Sequence, residues 1–374
     1  MERMEKMRDT MKAIVWDGGT YPESMTYRDF AVPKPTPGWA LVNTKAAGIC
    51  GSDLHYLLGY TRYLIPDKNL PAVLGHENAG VVVEVGVGVT RVKPGDRVAV
   101  EPLHGCIEFG GTCPMCRMGK YHLCQSGLTH VGIPIVKMLP GGYGEYSAVH
   151  ETRLFHIPDN VSFEEAALLD ILAVDVHAVK LVHPGLGDSV VVLGCGIIGL
   201  DMIQVLRAQG VTDIIAVAKY EFQADFARRF GAKETVVLHD GVDPVKEVMK
   251  LSDGWGVDQV YECVGGETDA LDQAVGMCRP GGDAIMLGVF AGRRPIDLLS
   301  MLIKEVDIIS SNSYSTYQDK REYQISMDML RDGLIDHKSL VTRAFDPQDW
   351  REAIDMAIGK GQFQAVKTMF VRDD

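Results

Sequence analysis

Eight cysteines stand at positions 50, 106, 113, 116, 124, 195, 263 and 278, and four of them fall between Cys106 and Cys124. Cys113, Cys116 and Cys124 follow the spacing C-x2-C-x7-C, with Cys106 seven residues ahead of Cys113. Thiols this dense have the ligand chemistry of a tetrahedral zinc, and four protein ligands would close the site to substrate. The bland alternative is a lobe of loose thiols. A second group is sparser: Cys50, Ser52, Asp53, His55 and Tyr56 in "GICGSDLHY", and His76 with Glu77 in "GHENAG". A thiolate, an imidazole and a carboxylate are the donors of a zinc that keeps one position open for chemistry. Taken singly each is weak, because a lone cysteine is more often a small buried hydrophobe.

A third constellation is "VVLGCGIIGL", with Gly194, Gly196 and Gly199 and with Ile197 and Ile198 opening a helix. The first glycine permits a tight turn, the second lets backbone approach a pyrophosphate, and the third lets helix and strand pack closely. The ribose-binding acid of such a fold belongs about 20 residues further on. There the chain offers Ala218, Lys219 and Tyr220. Without the acid a 2′-phosphate is not repelled, and Lys219 adds a cation, which favours NADP. The other reading keeps NAD, with Lys219 solvated and Glu221 on the ribose.

These residues need elements to hold them. The 374 residues carry a net charge of −13 with 46% hydrophobic and 23% charged residues, the composition of an ordinary globular chain of two domains. A pI near 5.3 offers no electrostatic footprint for nucleic acid or an anionic membrane. No apolar run reaches the roughly 18 residues of a membrane span. The charged start "MERMEKMRDT" lacks an export signal, so a cytoplasmic location and free thiols rather than disulfides are expected. Residues 1–10 read as an extension ahead of the first strand.

From Met11 to Phe155, short β-like runs broken by Gly and Pro predict an all-β, barrel-like unit. The period then changes. Ser162 with Glu165 forms a capping box ahead of apolar residues at helical spacing. From Ser189 to about Ile309, apolar runs such as "SVVVLG" and "DIIAVA" alternate with helical segments, which predicts a doubly wound parallel sheet. The last strand, "AVKTMFV", is expected to rejoin the β unit. The expected domains are 1–160 with 312–374, and 161–311.

"GICGSDLHY", "GHENAGVVVEVG", "VKPGDRV", "CPMCRMGKYHLC", "VVLGCGIIGL" and "AVKTMF" together resemble the zinc-dependent medium-chain dehydrogenase family, nearest its polyol and threonine dehydrogenase branch. The resemblance spans nearly all of Met11 to Asp374. It implies a GroES-like β-barrel catalytic domain, a Rossmann domain and an active cleft between them. It makes Cys50 and His76 zinc ligands, with Glu77 close by. It places Asp170 where the branch has a third ligand, reaching zinc directly or through water, or else facing substrate. Asp53 would orient His76, and Ser52 and His55 would relay the substrate proton. Tyr56 would touch substrate, and Lys367 either faces the pyrophosphate or is solvated. Cys106, Cys113, Cys116 and Cys124 would hold a structural zinc, although the family places its first cysteine three residues before Cys113, where this chain has Gly110.

The implied activity is hydride transfer between NADP (or NAD) and a secondary alcohol of a polyol, sugar, cyclitol or amino alcohol. The rival readings are a primary-alcohol or aldehyde reductase and a catalytically silent nucleotide-binding member. Relatives assemble as dimers or tetramers through the Rossmann edge near "DAIMLGVF".

Overall fold

The computed structural model describes residues 9–290 and 292–372. Most of the expected N-terminal extension lies outside them, and the first strand begins at Thr10. Two compact units result. One holds the described residues up to Asp170 and from His337 on, and the other is Ile171–Asp336.

The first unit is built on a mainly antiparallel sheet. Its strands run Leu154–His156, Arg97–Val100, Glu77–Val85, Trp39–Gly48, Lys367–Val371 and Val341–Phe345, and Tyr146–His150 also pairs with Trp39–Gly48. A second, three-stranded sheet places Thr10–Trp16 between Met25–Ala31 and Ala72–Val73. Alternation along these strands turns Ala40, Val42, Val82, Val98, Val100 and Val149 inward as one apolar core. The C-terminal strand is integral to the sheet: Met369 registers with Gly48 and Phe370 with Ala47.

The second unit is a six-stranded parallel sheet. Its order is Glu234–Val237, Asp213–Ala218, Ser189–Leu193, Val257–Glu262, Cys278–Met286 and Asp307–Ser310. Helices cover both faces of such a sheet, so the strands read as continuous apolar runs. Val191, Leu193, Ile215, Val217 and Val260 form the core under the helices.

The unit boundaries differ from the expected ones, at 170/171 and 336/337 instead of 160/161 and 311/312. The Ser162 capping box forms as read, with Glu165 N donating to Ser162 Oγ and Ser162 N to Glu165 Oε2. The helix it starts, Phe163–Ala167, packs on Trp39–Gly48 and Glu77–Val85, which keeps it in the first unit. Residues beyond 311 stay in the second unit because Glu322 binds His177, at 2.9 Å from Nδ1, deep in that unit.

Candidate functional site

Three donors converge where the paired strands Trp39–Gly48 and Glu77–Val85 meet at Gly48 and Glu77. Cys50 directly precedes the short helix Gly51–Leu57, and His76 and Glu77 sit at the start of the strand Glu77–Val85. Their ligand atoms all lie within 4.8 Å of one another. Asp53 organises the group from the helix. Its Oδ2 accepts from Cys50 N at 3.2 Å and from the Tyr143 hydroxyl at 3.0 Å. Its Oδ1 lies 3.3 Å from His76 Nδ1, where the resemblance places an orienting contact. Ser52 Oγ stands 3.3 Å from His76 Nε2.

The electrostatics of this group suit a cation. Burial pushes the His76 imidazole down, yet Asp53 and Cys50 outweigh it and hold the group well above its usual value. Glu77 is fully buried, and its Oε1 has no hydrogen-bond partner among the described residues. A thiol, an imidazole and a carboxylate with an orphaned oxygen, all facing one point, fit zinc.

Two expectations for this site change. Lys367 is buried rather than solvated: it is 3% exposed, its ammonium pairs with Glu77, and it donates to the Ile49 carbonyl at 2.9 Å. The two side chains meet over Gly48, which registers with Glu77 on one side and Met369 on the other. A Cβ at Gly48 would collide with Glu77 Oε2 and lie 2.9 Å from Lys367 Cε. The signal that could have found this was a lysine inside the apolar run "AVKTMFV", because a buried ammonium needs an acid. Asp170, in the first turn of the helix Leu169–Val182, lies outside the donor cluster, and Glu77 supplies its carboxylate instead. Tyr56 is 6% exposed and stacks on Trp16 at 6.4 Å. His55 is half-buried with Tyr60 edge-on to its ring at 6.0 Å. Burial, then Lys360, lowers its pKa.

The four lobe cysteines also converge, with their sulfurs within 4.8 Å of one another. The longer loop after Cys106 is absorbed by a 3-10 turn, Cys106–Phe109, closed by Gly110 in the left-handed region at φ +78°. Gly111 N then donates back to the Cys106 carbonyl at 2.8 Å, so the extra residues leave Cys106 facing its partners. Cys106 N donates to Cys124 Sγ at 3.2 Å, and Cys116 N to Cys113 Sγ at 3.4 Å. Backbone N–H groups of Cys116 and Gln125 draw the Cys113 thiol down to about 6, whereas burial pushes Cys116 up to about 12. Four converging thiols, with no further donor in the group among the described residues, fit a closed zinc site.

In the second unit, Ser189–Leu193 runs through Gly194 at φ +101° into the helix Ile197–Gln209, whose N-cap is Gly196. A Cβ at Gly196 would meet nothing within 4 Å, whereas one at Gly199 would strike the Gly194 carbonyl. The turn therefore leaves space over the helix N-terminus and packs tightly beneath it, the cradle an anionic diphosphate needs. Ile197 and Ile198 open the helix, half-buried. Ala218 is fully buried at the end of its strand. Lys219 is exposed beyond it, with Nζ 5.4 Å from the Tyr220 ring, and Tyr220 stacks on Phe222 at 5.6 Å. Glu221 Oε1 accepts from both Arg228 Nη1 and Nη2 at 3.0 Å, along its own helix. Glu262 was missed by the sequence reasoning. It is fully buried and accepts from Val264 N and Gly265 N at 2.7 Å, bracing the loop beside Gly194. An acid ending an apolar strand ahead of two glycines was its signal.

Residues 36–159 match the alcohol dehydrogenase GroES-like domain, and residues 198–332 match the zinc-binding dehydrogenase domain. The chain belongs to the zinc-dependent alcohol dehydrogenase family and is an oxidoreductase. Within that family it falls in the polyol branch. It is 34% identical to sorbitol dehydrogenase 1 of Saccharomyces cerevisiae, over 90% of this chain and 92% of that one. It is 33% identical to D-arabitol-phosphate dehydrogenase of Enterococcus avium, over 93% and 95%. The solved 2R,3R-butanediol dehydrogenase of Bacillus subtilis superposes with a TM-score of 0.82 at 30% identity, over 97% of this chain and 100% of that one. No described helix is long and apolar enough to cross a membrane.

Proposed function

We propose that the protein is an NADP-preferring dehydrogenase of secondary alcohols on a polyol, sugar, cyclitol or amino alcohol. The observation that carries this is the convergence of Cys50, His76 and Glu77 with Ser52 Oγ beside His76. Zinc held by these three donors supplies a Lewis acid, and the nicotinamide supplies the hydride acceptor. The protein's own part is proton handling and positioning. Ser52 and His55 lie three apart on one helix, hence on one face. The Ser52 hydroxyl accepts the substrate proton, and His55, kept neutral by burial, is free to take it onward to solvent. Asp53 and Tyr143 hold the helix and His76 in register. The same fit extends to Cys106, Cys113, Cys116 and Cys124, which would hold a structural zinc.

The preference for NADP rests on three features: Ala218 where an acid would repel phosphate, an exposed Lys219 next to it, and Glu221 occupied by Arg228. Assembly as a homodimer or homotetramer is supported by the sheet's edge strand Asp307–Ser310. Beside it, the helix Leu298–Lys304 exposes Leu298, Leu299, Leu302 and Ile303 to 67–74%. Sedimentation of a Leu302→Lys variant tests this, and an unchanged mass would remove the helix from the interface.

Initial rates on a panel of polyols, sugars and simple alcohols, with NADP and NAD and before and after EDTA dialysis, test the activity. Metal-dependent oxidation of secondary hydroxyls is expected. Turnover confined to primary alcohols would refute the substrate class, and no nucleotide-dependent turnover would refute the enzyme.

A further inference from the structure

We propose that Arg153 is a positioning residue for the four-cysteine lobe, holding the segments that carry Cys106 and Cys124 so that their thiols face one point before metal arrives. The inference rests on the reading that this lobe takes zinc. Arg153 is 1% exposed, in the turn between the strands Tyr146–His150 and Leu154–His156 of the first unit's sheet. Its guanidinium grips both ends of the lobe. Nε donates to Glu108 Oε1 at 2.8 Å, and Nη2 binds the same oxygen. Glu108 belongs to the turn Cys106–Phe109, the part of the loop that exceeds the family's spacing. On the other side the guanidinium carbon lies 3.8 Å from the centroid of the Tyr121 ring. Tyr121 begins the 3-10 turn Tyr121–Leu123 that delivers Cys124.

Glu101 closes the network. It accepts from Arg153 Nη1 at 2.9 Å and from the Tyr121 hydroxyl, and it is fully buried. The Oε2 of Glu108 is buried without a hydrogen-bond partner among the described residues, so that carboxylate depends on Arg153 for its charge compensation. Arginine suits the task, because a planar fork can bind two carboxylates and stack on a ring at once, whereas an ammonium cannot. The added residues of the loop thus bring their own anchor. Phe109, 5.5 Å from Trp39, adds only a partly exposed contact at the rim.

The test uses the full-length, zinc-loaded protein and reads metal rather than turnover. Zinc per chain, the rate of zinc loss to EDTA and the number of thiols that become reactive are measured for wild type, Glu108→Gln, Arg153→Met and Arg153→Lys. Replacing residues that hold a metal's ligands in place typically alters metal affinity roughly 10–100-fold. Accordingly, about tenfold faster release is expected for Glu108→Gln and Arg153→Met, accompanied by the exposure of four thiols together, while loss from the Cys50 site keeps the wild-type rate. Arg153→Lys, with charge but no fork, should fall between. If Arg153→Met does not fold, Glu108→Gln decides alone by the same readouts. Wild-type release of the four-thiol metal in Glu108→Gln would overturn the proposal. So would equal acceleration at both metal sites with a lower melting point of the metal-free chain, since that is a general loss of stability. Wild type carrying one zinc and four freely reactive lobe thiols would overturn the metal reading and this inference with it.

Discussion

Gly48→Ala is the sharpest single perturbation of the first metal cluster, because it adds one methyl group where two charged side chains cross. In an exposed strand this change is mildly favourable, by about 0.5–1 kcal/mol. Here the new Cβ would overlap Glu77 Oε2 and stand 2.9 Å from Lys367 Cε. Both partners are essentially buried, at 0% and 3% exposure, so neither can swing into water. One must leave the pair. Separating a buried ion pair costs about 3–5 kcal/mol, because the remaining charge is left uncompensated. Set against the backbone gain, the net loss is about 2–4 kcal/mol. For a unit of roughly 200 residues that is a melting-point drop of about 5–15 °C. Calorimetry of metal-depleted and zinc-loaded protein, with zinc content measured alongside, reads the effect. The loss should appear in both forms, and zinc retention at Cys50, His76 and Glu77 should fall. Replacing the pair as well, in Gly48→Ala/Glu77→Val/Lys367→Met, should recover part of the metal-free stability, because the overlapping oxygen and both buried charges are gone. A Gly48→Ala protein that melts at or above wild type with full zinc content would refute the buried-pair reasoning.

Lys219→Ala should raise the KM for NADP about 10–150-fold, the roughly 1.5–3 kcal/mol scale of a charged hydrogen bond, with little change for NAD; steady-state kinetics with both nucleotides decides, and equal effects would discard the phosphate contact. Asp170→Asn should leave zinc content and its EDTA release rate unchanged, because Glu77 completes the donor set; loss of one zinc equivalent would return Asp170 to the ligands. His104 is fully buried between Pro102 O, 3.0 Å from Nδ1, and the His150 N–H, 3.4 Å from Nε2, a pairing that requires the neutral ring. Burial, then Arg153, depresses its pKa well below the usual value. The unfolded chain therefore takes up this proton near pH 6.5 and the folded chain does not, so the contribution is full above that pH and lost below it. By pH 5 the loss is up to about 2 kcal/mol, and denaturant melts of His104→Phe against wild type should show a shallower acid decline; parallel curves would exclude His104 as the cause.

Much of this protein was legible in its residues alone, because the physics involved was local. The glycine turn at 194–199 follows from which positions tolerate no side chain, and the capping box at Ser162 follows from two orphan backbone donors. The convergence of Cys113, Cys116 and Cys124 needs only a short loop. The lobe's first ligand was harder, since its spacing departs from the family and only the 3-10 turn with Gly110 shows how Cys106 is brought in. What the sequence could not decide was which carboxylate completes the first cluster and what faces Lys367. Cys50, Glu77 and Lys367 are far apart along the chain and meet only because three strands register across Gly48. That register is a property of the folded sheet: side-chain identity proposes the donors, and strand pairing selects among them.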